Sequence, residues 1–133
     1  MTKKYNIAIV GATGAVGQMM IQVLLERKFP INELYLLASK KSDGKKINIL
    51  NKEFTVKALD GFDFSGIDIA LFSAGSNISE KYAKEATNKN SIVIDNTSFF
   101  RYEENIPLIV PEINANQITH YKKTGIIANP NCS

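Results

Sequence analysis

Three short stretches of this 133-residue chain combine residue types and spacing that suit chemistry. The first is Gly11-Ala12-Thr13-Gly14-Ala15-Val16-Gly17, which follows the β-branched run Ile7–Val10. Glycines there let the backbone turn tightly and approach an anion. A helix that starts in the same place presents unpaired N–H groups and the positive end of its dipole. The second is Ser39-Lys40-Lys41-Ser42, two hydroxyls and two ammonium groups after another strand-like run. The third is Asn129-Pro130-Asn131-Cys132-Ser133, which holds the chain's single cysteine. Pro130 suits the first position of a helix capped by Asn129. Cys132 then falls in the first turn, where the dipole favours the thiolate and lowers its pKa.

Each stretch has a plain structural reading beside the chemical one. A tight strand-to-helix turn favours glycine whatever it binds, and the spacing is G-x-x-G-x-x-G rather than the strict G-x-G-x-x-G of dinucleotide sites. A lysine turn is commonly just solvated, and a lone cysteine is commonly a small buried hydrophobe. The setting favours the chemical reading, because the glycine stretch opens the first strand–helix unit of the chain. An acidic residue after the second strand would take the ribose 2′-hydroxyl of NAD and repel a 2′-phosphate. The sequence offers no carboxylate there until Asp43, so NADP is the expected cofactor. A thiolate beside a nicotinamide has a natural use. Attack on an aldehyde gives a thiohemiacetal, whose hydride passes to NADP⁺, and phosphate then takes the acyl group from the thioester.

The elements that must position these groups alternate between strand and helix patterns. Strands are expected at Tyr5–Val10, Glu33–Ala38, Ile67–Ala74, Ser91–Asp95 and Gly125–Ala128, with a further one at Pro107–Val110. Lys46–Leu50 and Glu53–Leu59, separated by Asn51-Lys52, read as a hairpin or two edge strands. Ala15–Arg27 reads as a helix with Val16, Met19, Met20, Val23 and Leu24 inward. Ser79–Asn88 reads as a second helix, capped by Ser79, with Tyr82, Ala83 and Ala86 inward. Asn114–Tyr121 suits a short helix. This alternation predicts an α/β fold with a doubly wound, mostly parallel sheet, the Rossmann-like dinucleotide-binding arrangement, as one domain over residues 1–133.

Composition narrows the remaining classes. Hydrophobic residues make up 44% and charged residues 22%, an ordinary globular balance. The net charge of +3, from 16 basic and 13 acidic residues, is too diffuse for a nucleic-acid binder. No apolar run reaches membrane-spanning length, and the start does not resemble a signal peptide, so a cytoplasmic location is expected. One cysteine allows no internal disulfide and no multi-cysteine metal site.

Along essentially its whole length the sequence resembles the aspartate-semialdehyde dehydrogenase family. The glycine stretch, Ala38-Ser39-Lys40-Lys41-Ser42, Asp95-Asn96-Thr97-Ser98-Phe99-Phe100-Arg101, Val110-Pro111-Glu112-Ile113-Asn114 and Asn129–Ser133 carry the likeness in order. The resemblance implies that Cys132 is the acyl-enzyme nucleophile. It implies that Gly11 and Thr13 to Val16 (Thr13, Gly14, Ala15, Val16) cradle NADP, with Ser39, Lys41 and Ser42 at the 2′-phosphate. The family usually has arginine where this chain has Lys41, which keeps the charge but loses the planar fork. Phe72-Ser73-Ala74-Gly75-Ser76 is similar to the family's second cofactor loop, at Ala74 and Gly75. Arg101, with Asn96, matches the phosphate-holding arginine.

By the same resemblance the substrates are aspartyl phosphate, or aspartate semialdehyde and phosphate, in lysine, threonine and methionine biosynthesis. A second domain absent from this chain would supply the general base and the contacts of a homodimer. The chain alone is then expected to bind nucleotide without turnover, with the Cys132 pKa nearer its free value. Asn131 and Ser133 around the cysteine favour this family over N-acetyl-glutamyl-phosphate reductase, which typically has glycine before and an aromatic residue after. His120, the lone histidine, matches no motif and reads as a surface residue. The alternative of a different class is a nucleotide-binding module in which Cys132 only packs.

Overall fold

The computed structural model describes residues 4–96 and 126–128. The expected elements at Pro107–Val110 and Asn114–Tyr121 lie outside the described residues, as do Arg101, His120 and Cys132. The strands are β1 (Tyr5–Val10), β2 (Ile31–Ala38), β3 (Lys46–Ile49), β4 (Lys52–Ala58), β5 (Ile69–Phe72), β6 (Ile92–Asp95) and β7 (Ile126–Ala128). The helices among the described residues are α1 (Ala15–Glu26) and α2 (Ser76–Asn88), with one 3-10 turn at Lys40–Ser42. Among the described residues the strands form a seven-stranded sheet in the order β3-β4-β2-β1-β5-β6-β7. Every pairing is parallel except β3 with β4. This is the doubly wound arrangement expected from the alternating pattern.

Strand β1 shows why the sheet must be covered on both sides. Its side chains alternate between faces, and Ile7, Ala8, Ile9 and Val10 are all buried. Ala8 and Val10 join Leu37, Phe72, Tyr82, Ala83, Ala86 and Val93 in the core under α2. Ile7 and Ile9 join Ala12, Ile21, Leu36 and Val56 in the core under α1. A strand buried on both faces reads as a continuous apolar run, which is the pattern that located it.

Several boundaries and faces differ from expectation for physical reasons. In α1 the inward residues are Gly17 and Ile21, with Leu24 and Leu25 packed partly buried behind them. Val16, Met19 and Val23 are exposed. A Cβ on Gly17 would overlap the Gly11 carbonyl oxygen. The helix is therefore seated by a glycine, which a search for apolar side chains passes over.

Ser79 is not a helix cap. Helix α2 begins earlier, with Gly75 in the N-cap position, and Ser79 is fully buried within it. Its hydroxyl donates to the Asp95 carboxylate at 2.9 Å, so a residue that looked like a cap is a tie between α2 and β6. The Ile67–Ala74 run is strand only from Ile69 to Phe72. Ile67 is buried in the turn before it, where its N–H donates to the Phe64 carbonyl.

Of the two readings of residues 46–59, the hairpin is present, with the antiparallel register Ile49↔Lys52. Its two-residue turn is Leu50-Asn51, at φ of 50° and 64°. Two positive-φ residues in that place match the primed turns that suit strand twist. The turn sits one residue earlier than Asn51-Lys52 because a leucine gives no signal for it.

Candidate functional site

The chain winds from β1 outward through β2 to β4 and β3, then returns and winds the other way through β5 and β6. The order reverses between β1 and β5. At such a point the two connections leave the carboxyl edge in opposite directions, opening a crevice where α/β sheets bind ligands. A cavity of about 420 Å³ lies there. Val10, Gly11, Thr13 and Gly14 wall it from β1, Ser73 and Ala74 from β5, and Ser39 and Lys40 from β2.

The glycine stretch forms the floor. Gly11 has φ of 95° and donates from its N–H to the Leu37 carbonyl at 2.9 Å. A Cβ built on it would lie 2.9 Å from the Ala74 nitrogen. The loops after β1 and β5 thus touch backbone to backbone, and only glycine permits that. Gly14 is the N-cap of α1 and has no side chain with which to cap it. The first N–H groups of an α-helix lack intrahelical acceptors, so the amides at Ala15 and Val16 suit an anion from the ligand. Both residues are exposed.

The turn after β2 divides its residues. Ser39 and Lys40 line the cavity, whereas Lys41 and Ser42 complete the 3-10 turn just beyond it. The Lys40 ammonium lies 2.9 Å from the Asp60 carboxylate. The hydrogen bond and charge of Asp60 raise the pKa of Lys40, and those of Lys40 lower the pKa of Asp60. Asp43, the carboxylate that the sequence placed nearest, accepts from the Ala58 N–H at 3.1 Å and is not in the cavity wall.

Across the sheet, Ala74 lines the cavity and Gly75 starts α2 with φ of 105°. Asn96 is half-buried, and its N–H donates to the Phe72 carbonyl at 2.8 Å. Asn96 therefore stands at the carboxyl edge, beside the second loop. Strand β7 runs parallel to β6, with Ala128 opposite Asp95. The chain thus leaves β7 on this edge a few positions before Cys132 in sequence.

Four further wall residues were not legible as site residues: Leu59, Asp60, Ile78 and Tyr82. Leu59 and Asp60 arrive through the parallel pairing of β2 with β4, and Ile78 and Tyr82 through the packing of α2. Only the tertiary fold shows either. The apolar contribution of Val10, Ala38, Leu59 and Ile78 gives the cavity the greasy wall and few polar groups of a small-molecule site.

A doubly wound sheet with a glycine loop and a cavity at its switch point defines a Rossmann-like dinucleotide-binding domain. Residues 6–121 match the family model described as semialdehyde dehydrogenase, NAD binding domain. The chain belongs to that family. It is 54% identical over its full length to aspartate-semialdehyde dehydrogenase of Campylobacter jejuni, of which it covers 39%. It is 51% identical to aspartate-semialdehyde dehydrogenase 2 of Vibrio cholerae, covering 40% of that protein. The chain therefore spans about two-fifths of the length of these relatives. The crystal structure of aspartate semialdehyde dehydrogenase II from Vibrio cholerae, complexed with ASA, superposes with a TM-score of 0.92. That match covers 98% of this chain and 42% of the other.

Proposed function

We propose that this chain is the cofactor-binding part of an NADP-dependent aspartate-semialdehyde dehydrogenase. The observation that carries the reading is the switch-point cavity, floored by Gly11 and Gly14 and open to the lysine turn. The small residues fit a dinucleotide, since a side chain at Gly11 would strike the Ala74 backbone and force apart the two loops that form the floor. In this assignment the amides of Thr13 to Val16 hold the pyrophosphate. Ser39, Lys41 and Ser42 receive the 2′-phosphate, and Ala74 and Gly75 support the nicotinamide end. When bound there, NADP accepts hydride in the oxidative direction and donates it in reverse.

The chain's own contribution to the reaction is a nucleophile and a phosphate site. Cys132, as thiolate, attacks the carbonyl carbon of aspartate semialdehyde, and the acyl group then rests on its sulfur as a thioester. Phosphate held by Arg101, with Asn96 beside it, displaces the sulfur and releases aspartyl phosphate and the thiolate. The reverse sequence makes semialdehyde and phosphate. The nearness of β7 to β6 supports this assignment, because it delivers the chain to the carboxyl edge close to Cys132 in sequence. The general base, most of the amino-acid contacts and the homodimer interface belong, on this reading, to the part of the relatives that this chain does not cover. A place in lysine, threonine and methionine biosynthesis, in the cytoplasm, follows from the same reading. Among the described residues no helix is long and apolar enough to cross a membrane.

Calorimetric titration of the chain with NADP and with NAD tests the proposal without requiring turnover. Saturable binding of one nucleotide per chain, tighter for NADP, is the expected result. Absence of binding by both nucleotides would remove it.

A further inference from the structure

The sequence withholds a carboxylate from the end of β2, yet the fold supplies one from the neighbouring strand. Ala38 and Ala58 are paired across β2 and β4, and the Leu59 N–H donates to the Ala38 carbonyl at 2.8 Å. That register puts the next residue, Asp60, beside the turn where a ribose 2′-substituent would lie. Lys40 and Asp60 both line the cavity, and their charged groups meet at 2.9 Å. Among the described residues Lys41 makes no ion pair, so it is the cation of this turn whose charge is not balanced locally.

We propose that the Lys40–Asp60 pair sets the balance between phosphorylated and unphosphorylated dinucleotide in this site, with Asp60 as the specificity-determining residue. The proposal rests on the nucleotide reading above and refines it. Asp60 neutralises Lys40, so the 2′-phosphate meets two ammonium groups and one carboxylate rather than a net charge of two. Among the described residues Asp60 is also the only acidic side chain in the cavity wall. It occupies the role that an acid at the end of the second strand has in NAD sites, but it arrives from β4 and is held by a lysine. The site therefore prefers NADP by less than its lysines suggest, and either member of the pair can tip it.

The two members predict opposite outcomes. Asp60→Asn removes the opposing charge and releases Lys40. The ratio of NADP to NAD affinity should then rise about fivefold, the size of one unit-charge interaction at about 4 Å in water. Lys40→Met leaves Asp60 facing the 2′-phosphate, and the ratio should fall by a similar factor. The side chains are 77% and 53% exposed, so neither variant disturbs the core. Both ratios come from calorimetric titration with the two nucleotides. If the unsubstituted chain binds them and the ratio stays unmoved in both variants, or moves in the reverse sense, this inference is overturned and the nucleotide reading survives. If the unsubstituted chain binds neither, the nucleotide reading fails and takes this inference with it.

Discussion

At Gly11 two demands meet on one backbone position: a φ of 95° and a neighbouring loop so close that a Cβ would sit 2.9 Å from the Ala74 nitrogen. Gly11→Ala must therefore push the loops after β1 and β5 apart, at a cost of about 1–3 kcal/mol. A lowered midpoint in chemical denaturation, with nucleotide binding weakened further than the loss of folded protein explains, is the expected outcome. Gly14 differs. It has φ of −79° and a built Cβ would reach only 3.5 Å from the Gly11 carbonyl oxygen. Gly14→Ala should leave stability nearly unchanged, so any loss of nucleotide affinity reports on ligand approach alone. On the lysine turn, Lys41→Glu reverses the locally unbalanced charge. It should weaken NADP while leaving NAD binding as it was; equal weakening of both would contradict the 2′-phosphate assignment.

Between elements, the ties are polar as well as apolar. The buried Ser79–Asp95 hydrogen bond joins the first turns of α2 to the end of β6. Ser79→Ala takes a donor from a buried carboxylate, which costs about 1–3 kcal/mol. The loop of Ala74 and Gly75, which α2 continues, should loosen with it, visible as faster amide exchange there. In the hairpin, Leu50 has φ of 50° and is exposed. Leu50→Asn places a residue that tolerates this conformation and should stabilise the chain by about 0.5–1 kcal/mol, read as a raised Tm.

Two surface carboxylates give an acid dependence of known sign. Asp60 is held below its ordinary 3.8 by the Lys40 hydrogen bond and charge, and Asp63 by the Ser65 N–H and hydroxyl. Both folded values lie below the unfolded ones. Their contribution is complete above about pH 4 and disappears as pH falls through the folded values. Asp60→Asn should flatten part of that acid limb in a stability-against-pH series. For Lys40 the sign reverses: its raised pKa keeps the contribution complete below 10.5 and loses it as pH climbs past the folded value.

For the molecule as a whole, what could be read in advance was what the backbone pattern encodes. The apolar runs of β1 and β6 located buried strands, because a sheet covered on both faces has no polar side to break the run. The glycine stretch and the lysine turn were legible because they adjoin those strands, and both lie at the carboxyl edge. Two kinds of information were not legible. A glycine used as a packing surface, as at Gly17, carries no hydrophobic signal, so apolar spacing points to Val16, Met19 and Val23 while α1 rests on Gly17 and Ile21. Residues brought in from another strand, as Asp60 is from β4, are distant in sequence, and the register that delivers them exists only in the folded sheet. Asp43 is closer to the lysine turn in sequence, but its carboxylate accepts from the Ala58 N–H and does not line the cavity.

In the proposed function a pyridine nucleotide lies across the switch point of the sheet. Amide chemical shifts of the isotopically labelled chain, followed during titration with NADP, test this most directly. The prediction is a contiguous set of moving amides at residues 11–16, 39–42 and 73–76, with Asn96 at its border. Shifts confined to the outer β3–β4 hairpin or to the far end of α2, with residues 11–16 still, would contradict it.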